Sequence, residues 1–140
     1  MNINKFTIKS QEALQQAQQI TQSFGQQQVE NEHIFKGILE VDENVTPFIL
    51  KKLNINVELF KKVLDKTIQS FSKVSGGEMQ FSRDAGTTMN EAEIIAKKMN
   101  DEFVSIEHLL LAIFKSKSKV AQILKDQGAT YKGLEAAISE

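Results

Sequence analysis

The sequence predicts an all-α fold of eight helices, arranged as two tandem four-helix repeats that pack about a pseudo-twofold axis into one compact domain. Three observations lead to this prediction. Apolar residues recur at steps of three and four, the spacing of one face of a helix. Strand signals are weak, because β-branched runs are few and Pro47 is the only proline. The second half of the chain repeats the first at a spacing of 75 residues, as the Glu32-His33 and Glu107-His108 pairs show.

The helical periodicity places eight helices along the chain. In order, they are expected at 7–24, 31–40, 45–53, 56–70, 82–99, 105–116, 118–127 and 130–139. Each needs an apolar stripe, because one side of a surface helix must be buried against a core. The clearest stripes belong to the first, fourth and fifth helices: Ala13, Ala17, Ile20 and Phe24; Val57, Phe60, Leu64 and Ile68; and Met89, Ala92, Ala96 and Met99.

Turn and cap residues mark several of the helix ends. Asn56 and Thr130 are expected N-caps, since their side chains can accept from amides left free in the first turn. Gly128 suits the left-handed position that ends many helices. Tight turns are expected at 53–55 and 128–129.

The duplication sets the domain organisation. Residues 32–39 match residues 107–114 at the spacing of 75, and the same spacing relates Phe6 to Phe81 and Val29 to Val104. Chance agreement of two apolar helices would not readily place a Glu-His pair in the same helical frame. We therefore expect a single domain of residues 1–140, made of repeat one (1–71), a flexible linker (72–80) and repeat two (81–140), with two related grooves.

Composition excludes several classes of partner. The net charge is -1 and Arg83 is the only arginine, which argues against nucleic acid because phosphate binding needs a basic face. No apolar run approaches the roughly 18–20 residues that span a bilayer. The first residues do not resemble a signal peptide and there is no cysteine, so a cytoplasmic location is the default expectation.

The sequence offers no recognisable catalytic motif. Gly76-Gly77 is followed by Glu78-Met79, so it is not a phosphate-binding loop, and neither a Gly-x-Ser-x-Gly elbow nor a His-Glu-x-x-His zinc signature occurs. We expect no enzyme activity, metal or cofactor of the domain itself. His33 and His108 are the only histidines, and a packing or helix-start role is favoured over a metal.

Three other residues leave two interpretations open. Glu32 and Glu107 suit the first turn of a helix, where the free amides favour a carboxylate. Alternatively, each forms an acidic rim that receives a basic group of a partner. Leu111, in the run Leu109-Leu110-Leu111, indicates either a helix packed on more than one side or a partly exposed apolar binding surface.

These residues resemble the amino-terminal domain of Clp ATPases, most closely that of ClpB-type disaggregases. The resemblance rests on the duplicated Glu-His unit, the opening Phe6-Thr7 followed by 10–13, and the ending 123–130. It implies an all-helical domain that captures unfolded or aggregated proteins, with adaptor proteins as possible further partners. It also implies ATP in two ATPase modules absent from this sequence, a hexameric ring for the parent protein and a monomer for the isolated domain.

The resemblance implies site residues as well. A threonine near the start and two acids near the second repeat's central helix correspond to Thr7, Asp101 and Glu107. An apolar groove corresponds to Met89, Ile95 and His108, where a histidine replaces the expected apolar residue. Thr7 has an equal alternative as N-cap of the first helix.

A second functional hypothesis is the front domain of a ClpC- or ClpA-type ATPase that feeds a protease. In that case the partner would be an adaptor or an arginine-phosphorylated substrate, with Glu32 and Glu107 binding the guanidinium in two symmetric sites.

Overall fold

The computed structural model describes residues 2–74 and 76–139; Met1, Ser75 and Glu140 lie outside the described residues. The described chain forms eight α-helices, and each begins and ends within one residue of its predicted range. They are α1 Ile8–Ser23, α2 Asn31–Val41, α3 Val45–Lys52, α4 Val57–Gln69, α5 Arg83–Lys98, α6 Ile106–Lys115, α7 Lys119–Asp126 and α8 Tyr131–Ser139. The prediction of an all-helical duplicated domain is confirmed.

Side-chain caps fix several helix starts. The side chains of Asn56 and Thr130 accept from the backbone amides of Leu59 and Gly133, both at 3.0 Å, as predicted. Gly128 has φ +96°, in the left-handed region that the sequence predicted for it.

Two very short strands were not predicted. Strand β1 (Gln28–Val29) pairs in parallel with β2 (Gln80–Phe81), so that Val29 lies opposite Phe81, and Phe6 forms an isolated parallel bridge to Val104. Two residues are too few to show a strand period, which is why the sequence gave no signal for them.

These pairings obey the duplication. Adding 75 to Phe6 and to Val29 gives Phe81 and Val104, so the two pairings are equivalent under the pseudo-twofold relation. The segment that opens each repeat therefore crosses to the other repeat and pairs there. Gln80, the last residue of the predicted linker, begins the strand that does this in repeat two.

One hydrophobic core spans both repeats, with α2 and α6 at its centre. In α6 every residue from His108 to Phe114 is buried, and Leu109, Leu110 and Leu111 are at most 3% exposed. A helix buried on all sides must be packed by several neighbours, and α6 contacts α5, α7, α8 and α2. The leucine run is therefore packed on more than one side, and its alternative interpretation as an exposed binding surface is wrong.

Candidate functional site

A surface groove lies between α5 and the loop that joins it to α6, with a volume of about 430 Å³. We call it the repeat-two groove. Its lining residues are Lys5, Asn90, Glu93, Ile94, Ala96, Lys97, Asp101, Glu102 and Val104.

Helix α5 and the following turn position these side chains. Asn90, Glu93, Ile94 and Lys97 follow one another at steps of three, one and three, so they share one side of the helix. The turn is set by Asn100 at φ +60° and by the Asp101 amide, which donates to the Ala96 carbonyl at 2.9 Å. This reversal brings the 101–104 loop beside the helix that precedes it.

The opening segment of the chain closes the other side of the groove. The Val104 amide donates to the Lys5 carbonyl at 2.7 Å, and the Thr7 amide donates to the Val104 carbonyl at 2.9 Å. Thr7 is half-buried, and its hydroxyl accepts from the Ser10 amide at 3.1 Å, which makes it the N-cap of α1. Its cap interpretation is confirmed, and its backbone also holds the loop that carries Asp101.

His108 fixes the Asp101 loop rather than forming an open apolar wall. Its Nδ1 accepts from the Ser105 amide at 2.9 Å, and its Nε2 lies 2.8 Å from the Asp101 carboxylate. Because Nδ1 accepts, the neutral ring carries its proton on Nε2 and donates it to Asp101. The histidine side chain is 3% exposed and the Asp101 side chain 48%, so an oriented acid remains in solvent at the edge of the groove.

His33 has the same part in repeat one. Its Nδ1 accepts from the Glu30 amide at 2.8 Å, and its Nε2 lies 2.7 Å from the Gln26 amide oxygen. Burial lowers the pKa of His33 to about 4, so the ring is neutral at neutral pH. The helix-start role expected for both histidines is confirmed.

Exposed apolar side chains cluster in sequence around the groove. Ile94, which lines it, is 41% exposed, and Met99 and Phe103 on the following turn and loop are 46% and 48% exposed. The sequence interpretation placed Met99 in a buried stripe, which is wrong. No local signal in the sequence indicates the exposure of Ile94, because adjacent helix positions lie about 100° apart and both can be buried, as Ile95 and Ala96 are.

Most of the apolar groove residues expected from the sequence lie in the core instead. Met89, Ile95, His108 and Leu111 are between 2% and 6% exposed. Among the acids, Asp101 is exposed and lines the groove, whereas Glu107 is half-buried. The structure thus joins His108 to Asp101 by a direct hydrogen bond and joins Thr7 to Val104 of the same loop, whereas Met89, Ile95 and Leu111 are buried and do not line the groove.

Glu32 corrects a prediction, because it does not form an accessible acidic rim. It is 4% exposed, and its carboxylate accepts from the Val120 amide at 2.8 Å, in the first turn of α7. Burial raises the pKa of Glu32, although the bond from Val120 opposes the shift. The carboxylate satisfies an amide left free at a helix start, and in doing so it joins repeat one to repeat two.

Comparison with known proteins decides the family. The family model of the Clp repeat (R) N-terminal domain matches residues 5–127, most of the chain. The chain belongs to the Clp repeat N-terminal domain family.

One curated relative of this Clp repeat domain is the chaperone protein ClpB of Bacteroides thetaiotaomicron, 51% identical over 140 residues. The alignment covers 100% of this chain and 16% of the relative, so the chain spans about one sixth of that protein's length.

Two solved structures show the same fold. The Hsp104 N-terminal domain from Candida albicans has a TM-score of 0.84 at 17% identity, covering 97% of this chain and 90% of that one. A ClpV N-domain in complex with a VipB peptide has a TM-score of 0.80 at 18% identity, covering 98% of this chain and 86% of that one. The Clp repeat fold of the chain is therefore shared with both.

None of the helices in residues 2–74 and 76–139 is both long enough and apolar enough to cross a membrane.

Proposed function

We propose that this chain is the substrate-binding amino-terminal domain of a ClpB-like ATP-dependent disaggregase. The repeat-two groove captures exposed apolar segments of unfolded or aggregated proteins. The observation that carries the proposal is the exposure of Ile94, which lines a groove edged by Asp101 and Glu102, together with the exposure of Met99 and Phe103 on the turn and loop that follow α5. Large apolar side chains left in water beside a groove are typical of protein-binding surfaces.

The chemistry of the groove indicates its preference. An apolar side chain of a client would be removed from water against Ile94, and each Å² of apolar area so covered contributes about 25 cal/mol. Asp101 and Glu102 add negative charge at the edge, which favours client segments with a nearby Lys or Arg. A groove of about 430 Å³ covers few residues, so a single site binds weakly.

The buried residues have a supporting role in this proposal. His108 holds Asp101, and Thr7 holds Val104 through its backbone. Met89, Ile95 and Leu111 belong to the core and do not line the groove, and Glu107, half-buried on α6, is a secondary contact in this proposal.

Several copies of a weak site bind one client more tightly than a single copy does. In a hexameric ring, six copies of the domain would raise the effective concentration of sites around one client, so that avidity exceeds single-site affinity. ATP binding and hydrolysis would belong to other modules of the longer protein. The cytoplasmic location stays a prediction from sequence.

The ClpV neighbour supports the use of this fold for peptide binding, since that N-domain is described in complex with a VipB peptide. The alternative of two symmetric guanidinium sites is less well supported. Glu32 is buried and already accepts from Val120, so it does not offer a free carboxylate to an arginine-phosphorylated substrate.

Fluorescence anisotropy with a labelled, permanently unfolded, apolar-rich protein tests the proposal. We expect Ile94→Ser to weaken binding about fivefold, because the apolar area that it loses is worth about 1 kcal/mol. Leu59→Ser on α4 is the matched control, because Leu59 is 52% exposed but lies outside the groove. Equal affinity of the Ile94→Ser variant and wild type would overturn the assignment of the groove.

A further inference from the structure

Repeat one carries a second and larger groove, of about 730 Å³, which we call the repeat-one groove. Its lining residues are Gln15, Gln18, Gln19, Gln22, Gly25, Gln26, Gln27, Val74, Gly77 and Met79. Six of the ten are glutamines, and none carries a charge.

The two grooves are equivalent under the duplication. Adding 75 to the α1 glutamines at 15, 18, 19 and 22 gives Asn90, Glu93, Ile94 and Lys97, which line the repeat-two groove. Adding 75 to residues 26 and 27 gives Asp101 and Glu102. The same architecture therefore presents a charged and apolar lining in repeat two and a neutral amide lining in repeat one.

Four of these amides are free. Gln15, Gln18, Gln19 and Gln22 are exposed, and within the part of the chain that the structure describes their side chains make no hydrogen bond. Gln26 differs, because it is buried and its Nε2 donates to the Ile68 carbonyl at 2.6 Å. The four free side chains form one stripe on α1, and each primary amide can donate two hydrogen bonds and accept two.

The groove already binds a stretch of polypeptide backbone on one side. The Gln27 side-chain amide donates to the carbonyl of Gly76 and, at 3.5 Å, to that of Gly77. The Val74 amide donates to the Gly25 carbonyl at 3.2 Å, so Val74, Gly76 and Gly77 lie at the groove edge. A glutamine of this groove thus binds main-chain carbonyls in the folded protein.

We propose that the repeat-one groove is a second binding site, which takes an extended, uncharged segment of another polypeptide rich in amide and hydroxyl side chains. The free amides of α1 hold the backbone of that segment. A charged segment finds no opposite charge among the lining residues, and the side chains of an apolar segment would remove water from the four amides without replacing their hydrogen bonds. Every extended segment offers one backbone N–H and one C=O per residue, and amide and hydroxyl side chains add the further donors and acceptors that Leu and Val lack.

The dimensions set the length of the segment. From Gln15 to Gln22 the helix rises about 10 Å, at 1.5 Å per residue. An extended chain rises about 3.3 Å per residue, so the stripe matches three to four residues of the bound segment. The site therefore holds only a short segment. It would bind polar segments independently of whether the repeat-two groove binds apolar ones.

The test is a ¹H–¹⁵N NMR titration of the whole 140-residue chain with two uncharged 12-residue peptides, one of Gln, Asn and Ser and one of Leu, Val and Gly. We expect the polar peptide to shift the side-chain NH₂ signals of Gln15, Gln18, Gln19 and Gln22 and to leave the backbone of 90–104 unmoved. The apolar peptide should leave those NH₂ signals in place. Shifts of equal size with both peptides, or none at millimolar polar peptide, would overturn the proposal.

Matched variants make the assignment specific. Gln18→Glu with Gln22→Glu keeps helix-forming residues of the same shape but removes two donor groups, so polar-peptide affinity should fall about tenfold. Glu93→Gln changes the position in repeat two that is equivalent to Gln18, and it should leave the affinity for the polar peptide unaltered. Gln15→Ala with Gln19→Ala gives a second loss-of-donor variant, and circular dichroism checks that each is folded. Unchanged affinity in both double variants would contradict the role of the amides.

Discussion

At the scale of single residues, the duplicated histidines show how one side chain can start a helix and fix a loop. In each histidine, Nδ1 accepts a hydrogen bond from a backbone amide. The Nε2 of His33 faces Gln26, and the Nε2 of His108 faces the equivalent residue, Asp101. The partner is the neutral amide of Gln26 in repeat one and the carboxylate of Asp101 in repeat two. The difference in partner matches the difference in lining between the two grooves.

His33 predicts a pH dependence of stability. Its pKa in the folded chain is about 4, below the ordinary value of 6.5, so between these values the unfolded chain binds a proton that the folded chain does not. The contribution of neutral His33 to the free energy of unfolding is fully present above pH 6.5. It is lost as the pH falls toward 4, and the total loss is about 3 kcal/mol. Urea unfolding between pH 7.5 and 4.5 measures it.

Two variants separate this effect from others. His33→Gln should lower the free energy of unfolding at neutral pH. It should also reduce the decrease in that free energy as the pH is lowered. The raised pKa of Glu32 acts with the opposite sign, because a folded chain that keeps that proton gains stability as the pH falls. Glu32→Gln should therefore steepen the fall. The same slope in wild type and His33→Gln would contradict the assignment.

Residue roles were predictable where they depend on local chemistry. Asn56, Thr130 and Gly128 were assigned correctly, because a cap or a left-handed turn needs only its own few neighbours. The exposure of Ile94 and the burial of Ile95 were not assigned. Both are apolar and adjacent, and only the packing of α5 on α6 decides which of them faces water.

At the scale of elements, α1 and α2 pack closely because Gly37 has no side chain. A Cβ at Gly37 would lie 2.6 Å from the Ala13 carbonyl oxygen and 3.0 Å from the Ala17 nitrogen, both in the backbone of α1. Backbone atoms cannot rotate away as a side chain can. The equivalent position in repeat two is Ala112, so only repeat one has glycine at this contact.

Gly37→Ala is expected to destabilise the protein by about 2 kcal/mol, since overpacking against the α1 backbone outweighs the gain in helix propensity. Gly86→Ala is the control, because a Cβ there would contact nothing within 4 Å and helix α5 should gain about 0.5–1 kcal/mol. Urea unfolding of the two variants measures both. A stabilised Gly37→Ala variant would show that α1 can move away without cost.

Helix boundaries were predictable to within a residue because the 3.6-residue period extends over eight or more positions in every helix. The strands were not predictable, because β1 and β2 have only two residues each. Each strand forms by pairing with residues 52 positions away, as the pairs 28–80 and 29–81 show. Local pattern cannot encode such a pairing, although the duplication at 75 residues links it to the Phe6–Val104 bridge.

At the scale of the whole molecule, the repeats are joined by exchanged segments and a shared core. Phe6 is 2% exposed and pairs with Val104 of the other repeat, and Phe81 pairs with Val29 in return. Glu32 adds a buried bond to Val120. We therefore expect the two repeats to unfold together rather than one after the other.

Phe6→Ala tests this coupling. Loss of a buried phenylalanine should cost about 3–4 kcal/mol, and amide hydrogen exchange should accelerate in α6 of repeat two as well as in α1. Phe48→Ala is the control, because Phe48 is 50% exposed and its loss should cost under about 1 kcal/mol. Faster exchange confined to repeat one would show that the repeats are independent.

The central claim is that apolar client segments bind at the repeat-two groove. A ¹H–¹⁵N NMR titration of the domain with an unfolded, apolar-rich protein tests it most directly, because every backbone amide reports its own position. We predict shifts at Ile94, Met99 and the 101–104 loop, with the α1 glutamine stripe unmoved. Shifts confined to other surfaces, or no shifts at saturating client, would contradict the claim.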